Sequence, residues 1–330
     1  MNYFRNFKTI CFTSLALTLF NSAYADPSQD LAKAVKEHNI DAMKAAIAAG
    51  ADVNAKDAEG NTPLGCAVWW TDEVALLIEA KADVNLNNPL ISAATWGETE
   101  SLNLLLKAGA NVNAKNGLGQ TALWSAAFNG NQLSTLQALI NAGAEVDAKD
   151  NLGQTPLITL AANGKTPKER VATINSQSPY LVKAGLALPP RLLNPKESDY
   201  SNVGEMIKFL VEKKADVNYS FSAAKFTALI LAAQKNRPDA VQALIDSKAD
   251  LELKSLSNMT PLAHACFSNK GEEAGLVLVN AGANINVTDR MSLEWQDSKY
   301  SGSAVFTNVT PLFLAAGRGY AKLVQAEFNQ

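Results

Sequence analysis

The chain has 330 residues, and its 29 basic and 32 acidic side chains give a formal net charge of −3 at pH 7. Hydrophobic residues make up 47% of the sequence, so a large core can be buried. Because acidic side chains outnumber basic ones, a basic footprint for nucleic acid is absent. We predict a folded protein that binds no nucleic acid.

Residues 1–25 contain the three parts of a secretory signal peptide. Two positive side chains come first, residues 9–20 form an apolar run, and Ala23-Tyr24-Ala25 is a small-x-small cleavage site. The apolar run is too short to span a bilayer comfortably. A buried N-terminal helix is the alternative. We predict export, cleavage after Ala25, no membrane span and a periplasmic or secreted mature chain.

One short phrase recurs along the chain at intervals near 33 residues. Its fullest copy runs from Asp150 to Leu157, with Thr155-Pro156-Leu157 at its end. The positions equivalent to Thr155 are residues 62, 88, 121, 155, 227, 260 and 310, with gaps of 26, 33, 34, 72, 33 and 50. Such a period is typical of a stacked array, in which each unit buries its apolar face against its neighbours.

Each repeated residue has a local physical role. Thr155 is placed to cap a helix with its hydroxyl, and Pro156 occupies the first helical position, where its missing N–H costs little. Small residues such as Ala161 keep this first helix thin, and a more aliphatic second helix follows. Gly143 supplies the left-handed residue that ends a second helix. The pattern predicts helix-turn-helix units joined by short turns.

This pattern resembles the ankyrin-repeat family over nearly all of the mature chain, and the leader makes the chain similar to exported bacterial ankyrin-repeat proteins. The resemblance implies an all-α solenoid of about eight helix-turn-helix repeats with short β-turn fingers, covering residues 26–330. Two gaps exceed the period, which predicts inserts at about 164–201, in the fifth repeat, and at about 290–308, before the last. The first is locally basic; the second is a candidate for a long hairpin.

Three of the positions that hold the helix-ending glycine contain lysine instead, namely Lys81, Lys214 and Lys248. A lysine in the left-handed conformation costs on the order of 1 kcal/mol. We predict weaker helix ends at these places, or a different terminator.

The candidate binding site is a stripe of aromatic side chains. In ankyrin-like repeats, the last two positions of the first helix face the concave side, where partners bind. By register these positions hold Trp69 and Trp70, then Trp96, then Phe128, in three successive repeats. Clustered aromatic residues are typical interface anchors. The alternative is that they fill gaps left by a shortened second repeat, or pack under the first insert.

Lysines recur at one register of the turn fingers, at Lys56, Lys115, Lys149 and Lys254. They would line up along the stack and could match an acidic partner. Solubilising charge is the alternative.

Residues that carry enzyme chemistry are scarce. The histidines His38 and His264 lie at opposite ends of the array, and neither has cysteine or acidic neighbours at metal-ligand spacing. No phosphate-binding glycine loop and no nucleophile elbow is present. We predict no catalytic residue, no metal and no cofactor, and we interpret His264 as a core residue.

Together these features indicate a non-catalytic, exported protein-binding module, expected to be a monomer. An inhibitor or immunity partner of a secreted toxin or enzyme is the leading interpretation. A periplasmic envelope scaffold and a secreted effector that binds host proteins are the alternatives. Enzyme function ranks last, because the fold alone implies no chemistry.

Overall fold

The computed structural model describes residues 26–130, 132–183, 193–197, 201–296 and 301–328, with only the backbone described at 177, 180–181, 289–296, 301–308 and 327–328. The predicted signal peptide, residues 1–25, lies outside this part of the chain. In chain order the helices are α1 (Pro27–Lys36), α2 (Ile40–Ala48), α3 (Pro63–Cys66), α4 (Thr71–Glu79), α5 (Pro89–Trp96), α6 (Thr99–Lys107), α7 (Ala122–Asn129), α8 (Leu133–Asn141), α9 (Pro156–Asn163), α10 (Pro167–Lys183), α11 (Val203–Glu212), α12 (Ala228–Gln234), α13 (Pro238–Asp246), α14 (Pro261–Phe267), α15 (Glu272–Asn280), α16 (Pro311–Arg318) and α17 (Ala321–Phe328).

These helices form a solenoid of helix pairs, which confirms the predicted repeat architecture. The first helix of each repeat stacks on the first helix of the next, as α5 stacks on α7. The second helices stack on one another in the same way, as α6 stacks on α8. Alanines such as Ala93, Ala126 and Ala161 are fully buried between the layers of first helices. Because alanine is small, adjacent first helices can approach closely, and the core continues through the stack.

The repeated threonine caps the first helices, as predicted. In six repeats its hydroxyl accepts the backbone N–H three residues further on, which satisfies one of the unpaired donors of the first turn. The capping threonines are Thr62, Thr121, Thr155, Thr227, Thr260 and Thr310. The equivalent Asn88 makes no such bond and has a φ of 52° instead.

Asparagine and acidic side chains tie successive turns together. In each case the last residue of the Ala-Asp-Val-Asn phrase accepts a backbone N–H from the next repeat. The acceptor–donor pairs are Asn54–Asp83, Asn85–Asn111, Asn113–Glu145, Asp147–Asp216, Asn218–Asp250 and Glu252–Asn284. The Asp147–Asp216 bond spans the first insert at 3.1 Å. The stack of turns therefore continues past the extra residues.

The three lysines at the helix-ending glycine position are left-handed, so they end the second helices themselves, and the predicted weakness of these helix ends stays a prediction. Lys81, Lys214 and Lys248 have φ angles of 68°, 75° and 68°. Glycines such as Gly143, with a φ of 91°, hold the equivalent position in other repeats. The lysine backbones therefore adopt the left-handed conformation that glycine adopts in the other repeats. Because lysine has a Cβ atom, this conformation is strained at each of the three positions.

The second repeat is compressed. Its second helix begins eight residues after its first (71 − 63), whereas the third repeat has ten (99 − 89). The first helix accommodates this by ending in a 3-10 turn, Ala67–Trp69, and Trp70 then takes an extended conformation with a φ of −126°. As a result, Trp69 and Trp70 point to different neighbours.

Both inserts have regular structure. The first contributes α10, which includes Pro179. The second forms an antiparallel hairpin of β1 (Asp289–Gln296) and β2 (Ser301–Val309), with Met291 opposite Phe306. The hairpin is a β addition to the helical fold, at the place where a long hairpin was a candidate. Among the described helices, none combines the length and the apolar content of a membrane span.

Candidate functional site

The last residues of the first helices form a surface that we call the concave face, and two of its predicted aromatics lie under the first insert. Trp69 and Trp96 meet edge to face, with ring centroids 5.6 Å apart at 79°. Ile174 of α10 is 2% exposed and packs against both rings and against Val171. Trp69 and Trp96 thus pack under the first insert, which is one of the alternatives considered from the sequence. Their predicted contact with a partner protein is untested.

Trp70 turns toward the first repeat. Its ring stacks on His38, with centroids 3.6 Å apart and an angle of 14°. His38 Nδ1 lies 2.5 Å from Glu73 Oε1, and Glu73 is fully buried. Burial raises the pKa of Glu73, while its hydrogen bond to His38 acts in the opposite direction. The half-buried Trp70 is thus held by a neighbour that is itself fixed.

Phe128 is the most exposed of the predicted aromatics, at 36%. It stacks on Trp124, which belongs to the same helix α7, with centroids 5.2 Å apart and an angle of 9°. Trp124 is nearly buried, so Phe128 rests on a rigid base. Trp124 stands four residues before Phe128, and this helical spacing was the sequence signal for the contact.

Arg170 fastens α10 to the concave face, and sequence reasoning did not single it out. It is 2% exposed, and its guanidinium donates to the Thr95 carbonyl at 3.1 Å and to Asn129 Oδ1 at 3.2 Å. Its charge also lies 6.0 Å from the Trp96 ring. The signal was the spacing of Arg170, Val171 and Ile174, which places all three side chains on one side of a helix.

The start of α10 is closed by a capping box. The Thr166 N–H donates to Glu169 Oε2 at 2.8 Å, and the Glu169 N–H donates to Thr166 Oγ1 at 3.3 Å. Reciprocal bonds of this kind satisfy two helix donors at once. Arg237, which follows α12, lies 3.4 Å from Glu169 Oε2 and also donates to the Gly164 carbonyl. The insert is therefore joined to both sides of the stack.

The later part of the concave face is basic. Lys235 is exposed at the end of α12. The Arg318 guanidinium lies 5.3 Å from the Phe267 ring and donates to Asn269 Oδ1 at 2.6 Å. The earlier repeats thus place aromatic residues at these positions, whereas two of the later repeats place a cation there and one places Phe267.

Of the predicted finger lysines, Lys56, Lys115 and Lys149 are exposed and Lys254 is partly buried, and they do not form one continuous row. Lys115 Nζ donates to the Lys149 carbonyl at 2.9 Å, and Lys149 Nζ lies 4.3 Å from the Tyr219 ring centroid. Lys56 lies apart, at a cavity of about 660 Å³ beside α1. The intervening finger carries Asn87, whose side chain donates to the Gly60 carbonyl. Binding by these lysines stays a prediction.

Three exposed leucines accompany the fingers and were missed in the sequence. Leu118, Leu152 and Leu256 are 64%, 70% and 66% exposed. Their common place in the turn was the available signal. They add apolar surface to the exposed ends of the fingers.

His264 is a core residue, as predicted. It is 5% exposed, and its Nε2 lies 3.0 Å from Ser255 Oγ. Burial lowers its pKa to about 4. Within the residues that the structure describes, no group of three or more His, Cys, Asp or Glu side chains could hold a metal ion.

Comparisons with known proteins identify the repeats. The family model described as "Ankyrin repeats (3 copies)" matches residues 31–116 and 198–289, and the single "Ankyrin repeat" model matches residues 118–151. Comparison with curated protein sequences gives no significant match.

Among solved structures, the crystal structure of the human ASB11 ankyrin repeat domain is similar, with a TM-score of 0.56 and 19% identity. The similarity covers 77% of this chain and 98% of that one, and at this identity it shows the fold alone. Ankyrin repeats imply a protein-binding module, and the family models cover more than half of the sequence. This chain belongs to the ankyrin-repeat family.

Proposed function

We propose that this chain is a non-catalytic, exported binding protein that holds one protein partner on its concave face and blocks that partner's activity. The proposal depends on one observation, which is that partly exposed aromatic rings are held rigidly in the second and fourth repeats. Trp70 stacks on His38, and Phe128 stacks on Trp124. These two rings are the proposed anchors.

Rigid aromatic anchors favour tight protein binding. A ring that is already fixed loses little conformational freedom when a partner covers it. Aromatic residues also dominate the binding energy of many interfaces, because they bury a large area in a well-packed centre. A partner that spans Trp70 and Phe128 must pass over α10, so α10 forms part of the proposed surface.

Inhibition of one partner fits a surface of this kind. An interface of standard size buries about 1,600 Å² in total. On the scale of an enzyme active site, that area is enough to block access by substrate. The proposed partner is therefore a secreted toxin or enzyme whose active site the array covers.

Export is part of the proposal. Asp26, the residue after the predicted cleavage site, caps α1 by accepting the Ser28 N–H at 3.0 Å. Cleavage after Ala25 would leave this cap intact. N-terminal sequencing of the protein from fractionated cells should give Asp26 as the first residue, in the periplasm or in the medium. A first residue of Met1 in the cytoplasm would contradict export.

The binding site can be tested by crosslinking in the native compartment. A photoreactive amino acid in place of Phe128 should crosslink one dominant protein, which mass spectrometry would identify. Phe128→Ala and Trp70→Ala should each weaken binding of that protein by tenfold or more, on the order of 1.4 kcal/mol. Asn103→Ala is the matched control, since Asn103 is exposed on the second helix α6.

The inhibitory role has its own measurement. An equimolar amount of the mature chain should abolish the catalytic activity of the crosslinked partner. Unchanged activity, or several partners at similar yield, would favour a scaffold. Unaltered binding by both aromatic variants would show that the rings are structural.

A further inference from the structure

A cleft on the concave face lies beside the start of α10 and shares Phe128 with the predicted aromatic stripe. It has a volume of about 520 Å³ and is lined by Phe128, Lys165, Glu169 and Arg237, among others. Phe128 provides an exposed apolar side, and the other three residues are charged. The cleft therefore combines the most exposed concave aromatic with a group of charges.

Cations outnumber carboxylates around this cleft. Lys165 and Arg237 line it, and the buried Arg170 is close enough for its charge to act on Lys165. Glu169 is the acidic residue of the lining, and it is already engaged. It accepts from the N–H and the hydroxyl of Thr166, at 2.8 and 3.0 Å, and it pairs with Arg237 at 3.4 Å.

Lys165 lacks a hydrogen-bonded counter-ion. The side chain is half-buried, and no acceptor among the described residues forms a hydrogen bond or a close ion pair with its ammonium group. Burial lowers the pKa of Lys165, and the nearby charge of Arg170 adds to this effect, while the carboxylate of Glu169 acts in the opposite direction. The ammonium group has thus lost part of its hydration without gaining a hydrogen-bonded acceptor, which is unfavourable.

The position of Lys165 is fixed. Its backbone passes so close to Gly130 that a Cβ on Gly130 would collide with the Lys165 carbonyl and N–H. Gly130 has a φ of 58°, the left-handed conformation that ends α7. The ammonium group is thus presented by a constrained segment next to Phe128.

We propose that this cleft binds an acidic side chain of a protein partner, next to an apolar residue that packs on Phe128. The inference rests on the proposed binding function and names the chemistry that the partner must present. A carboxylate in the cleft would give Lys165 its counter-ion and would be attracted by Arg170 and Arg237. Partial burial would make that attraction stronger than at an exposed site.

Synthetic peptides test the proposal on the mature chain without knowledge of the partner. The probe is a short peptide, Gly-Ser-Leu-Glu-Leu-Ser-Gly. Its N-terminus is acetylated and its C-terminus is amidated, so the glutamate side chain carries the only carboxylate of the peptide. A second peptide has glutamine in place of glutamate. A third has glutamine and a free carboxyl terminus. Binding is measured by nuclear magnetic resonance, from the shifts of the Lys165 and Phe128 amides.

The glutamate peptide should shift both amides, and raising sodium chloride from about 50 to about 300 mM should weaken its binding. Lys165→Gln should raise its Kd by about fivefold or more, whereas Lys165→Arg, which keeps the charge, should stay within about twofold. Lys168→Gln, an exposed control in the same segment, should also stay within about twofold.

The inference is overturned if the glutamine peptide binds equally well, if Lys165→Gln has no effect, or if only the free carboxyl terminus is bound. Failure of the proposed function gives a different result. In that case crosslinking at Phe128 recovers no partner, whatever the peptides do. If the wild type and Lys165→Gln recover a partner equally well, the proposed function is supported and carboxylate binding in the cleft is contradicted.

Discussion

The earlier and later repeats have the same backbone architecture, but the side chains on their concave faces differ in chemical character. In the second to fourth repeats the face is aromatic, and Trp69 and Trp96 are partly covered by α10. In the later repeats it carries Lys235 and Arg318, and α10 meets this part at Glu169, which pairs with Arg237. Both parts have the same threonine caps and the same turn hydrogen bonds.

This difference shows that two side-chain positions per repeat set the character of the surface, while other positions hold the stack together. The insert helix packs where the aromatics are, because Ile174 and Val171 find apolar partners there. It begins at the boundary between the two parts, and the charged cleft beside it joins them.

The largest effect is expected from removal of the contact that covers the earlier part. Ile174→Ala should cost about 2–3 kcal/mol in the docking of α10, since it deletes a buried aliphatic side chain and leaves a cavity. Tryptophan fluorescence should shift to the red as Trp69 and Trp96 gain water. Asn175→Ala, which is exposed on the same helix, should leave the spectrum unchanged. An unshifted Ile174→Ala spectrum would show that α10 does not cover these rings in solution.

The helix terminators should respond alike in both parts. Lys81→Gly, Lys214→Gly and Lys248→Gly should each stabilise the protein by about 1 kcal/mol, because glycine adopts the left-handed conformation without strain. Urea unfolding measures the change. Gly143→Lys is the reverse control and should destabilise by a similar amount. A gain confined to Lys81 would mean that the two parts differ in their second helices as well.

The hydrogen bond between Asp147 and Asp216 tests the junction next to the first insert. Burial raises the pKa of Asp147 above its usual 3.8 and outweighs the hydrogen bond from the Asp216 N–H, which lowers it, while the charge of Asp216 raises it further. The folded state thus favours the protonated form, and that stabilisation is lost as pH rises through the raised pKa. Asp147→Asn, which cannot ionise, should add about 0.5 kcal/mol at pH 7.

The gain from Asp147→Asn should shrink toward zero as the pH falls below about 4, where the wild-type carboxyl is protonated too. Thermal melts at several pH values measure it. Asn113→Asp, at the equivalent place one repeat earlier, should show the opposite sign. A gain that does not depend on pH would rule out the charge as its cause.

The smallest effect is expected in the later part, from the second insert. The described backbone pairs β1 with β2, so replacement of residues 290–308 by a short turn should change stability by less than about 0.5 kcal/mol. Urea unfolding again gives the value. Removal of residues 167–197 is the contrasting deletion, and it should destabilise clearly. Equal losses would show that the hairpin packs on the array as α10 does.

The candidate site was only partly predictable from sequence. The register correctly placed Trp69, Trp96 and Phe128 at the ends of first helices, because each repeat has the same local geometry. It did not reveal that Trp70 turns back to His38, since the compressed second repeat changes the direction of the chain. The roles of Arg170 and Lys165 were also missed, because both lie in an insert that has no repeat register.

The sequence alone determined the period, the threonine caps, the left-handed helix ends and the positions of both inserts. Each of these depends on a few neighbouring residues or on the adjacent repeat, and so it recurs as a readable pattern. The place of α10 on the array, by contrast, follows from contacts made in the folded protein. Its anchor, Arg170, meets Thr95 across 75 positions of sequence. A contact of that kind depends on the fit of one buried side chain to one place on the surface, and no local pattern encodes it.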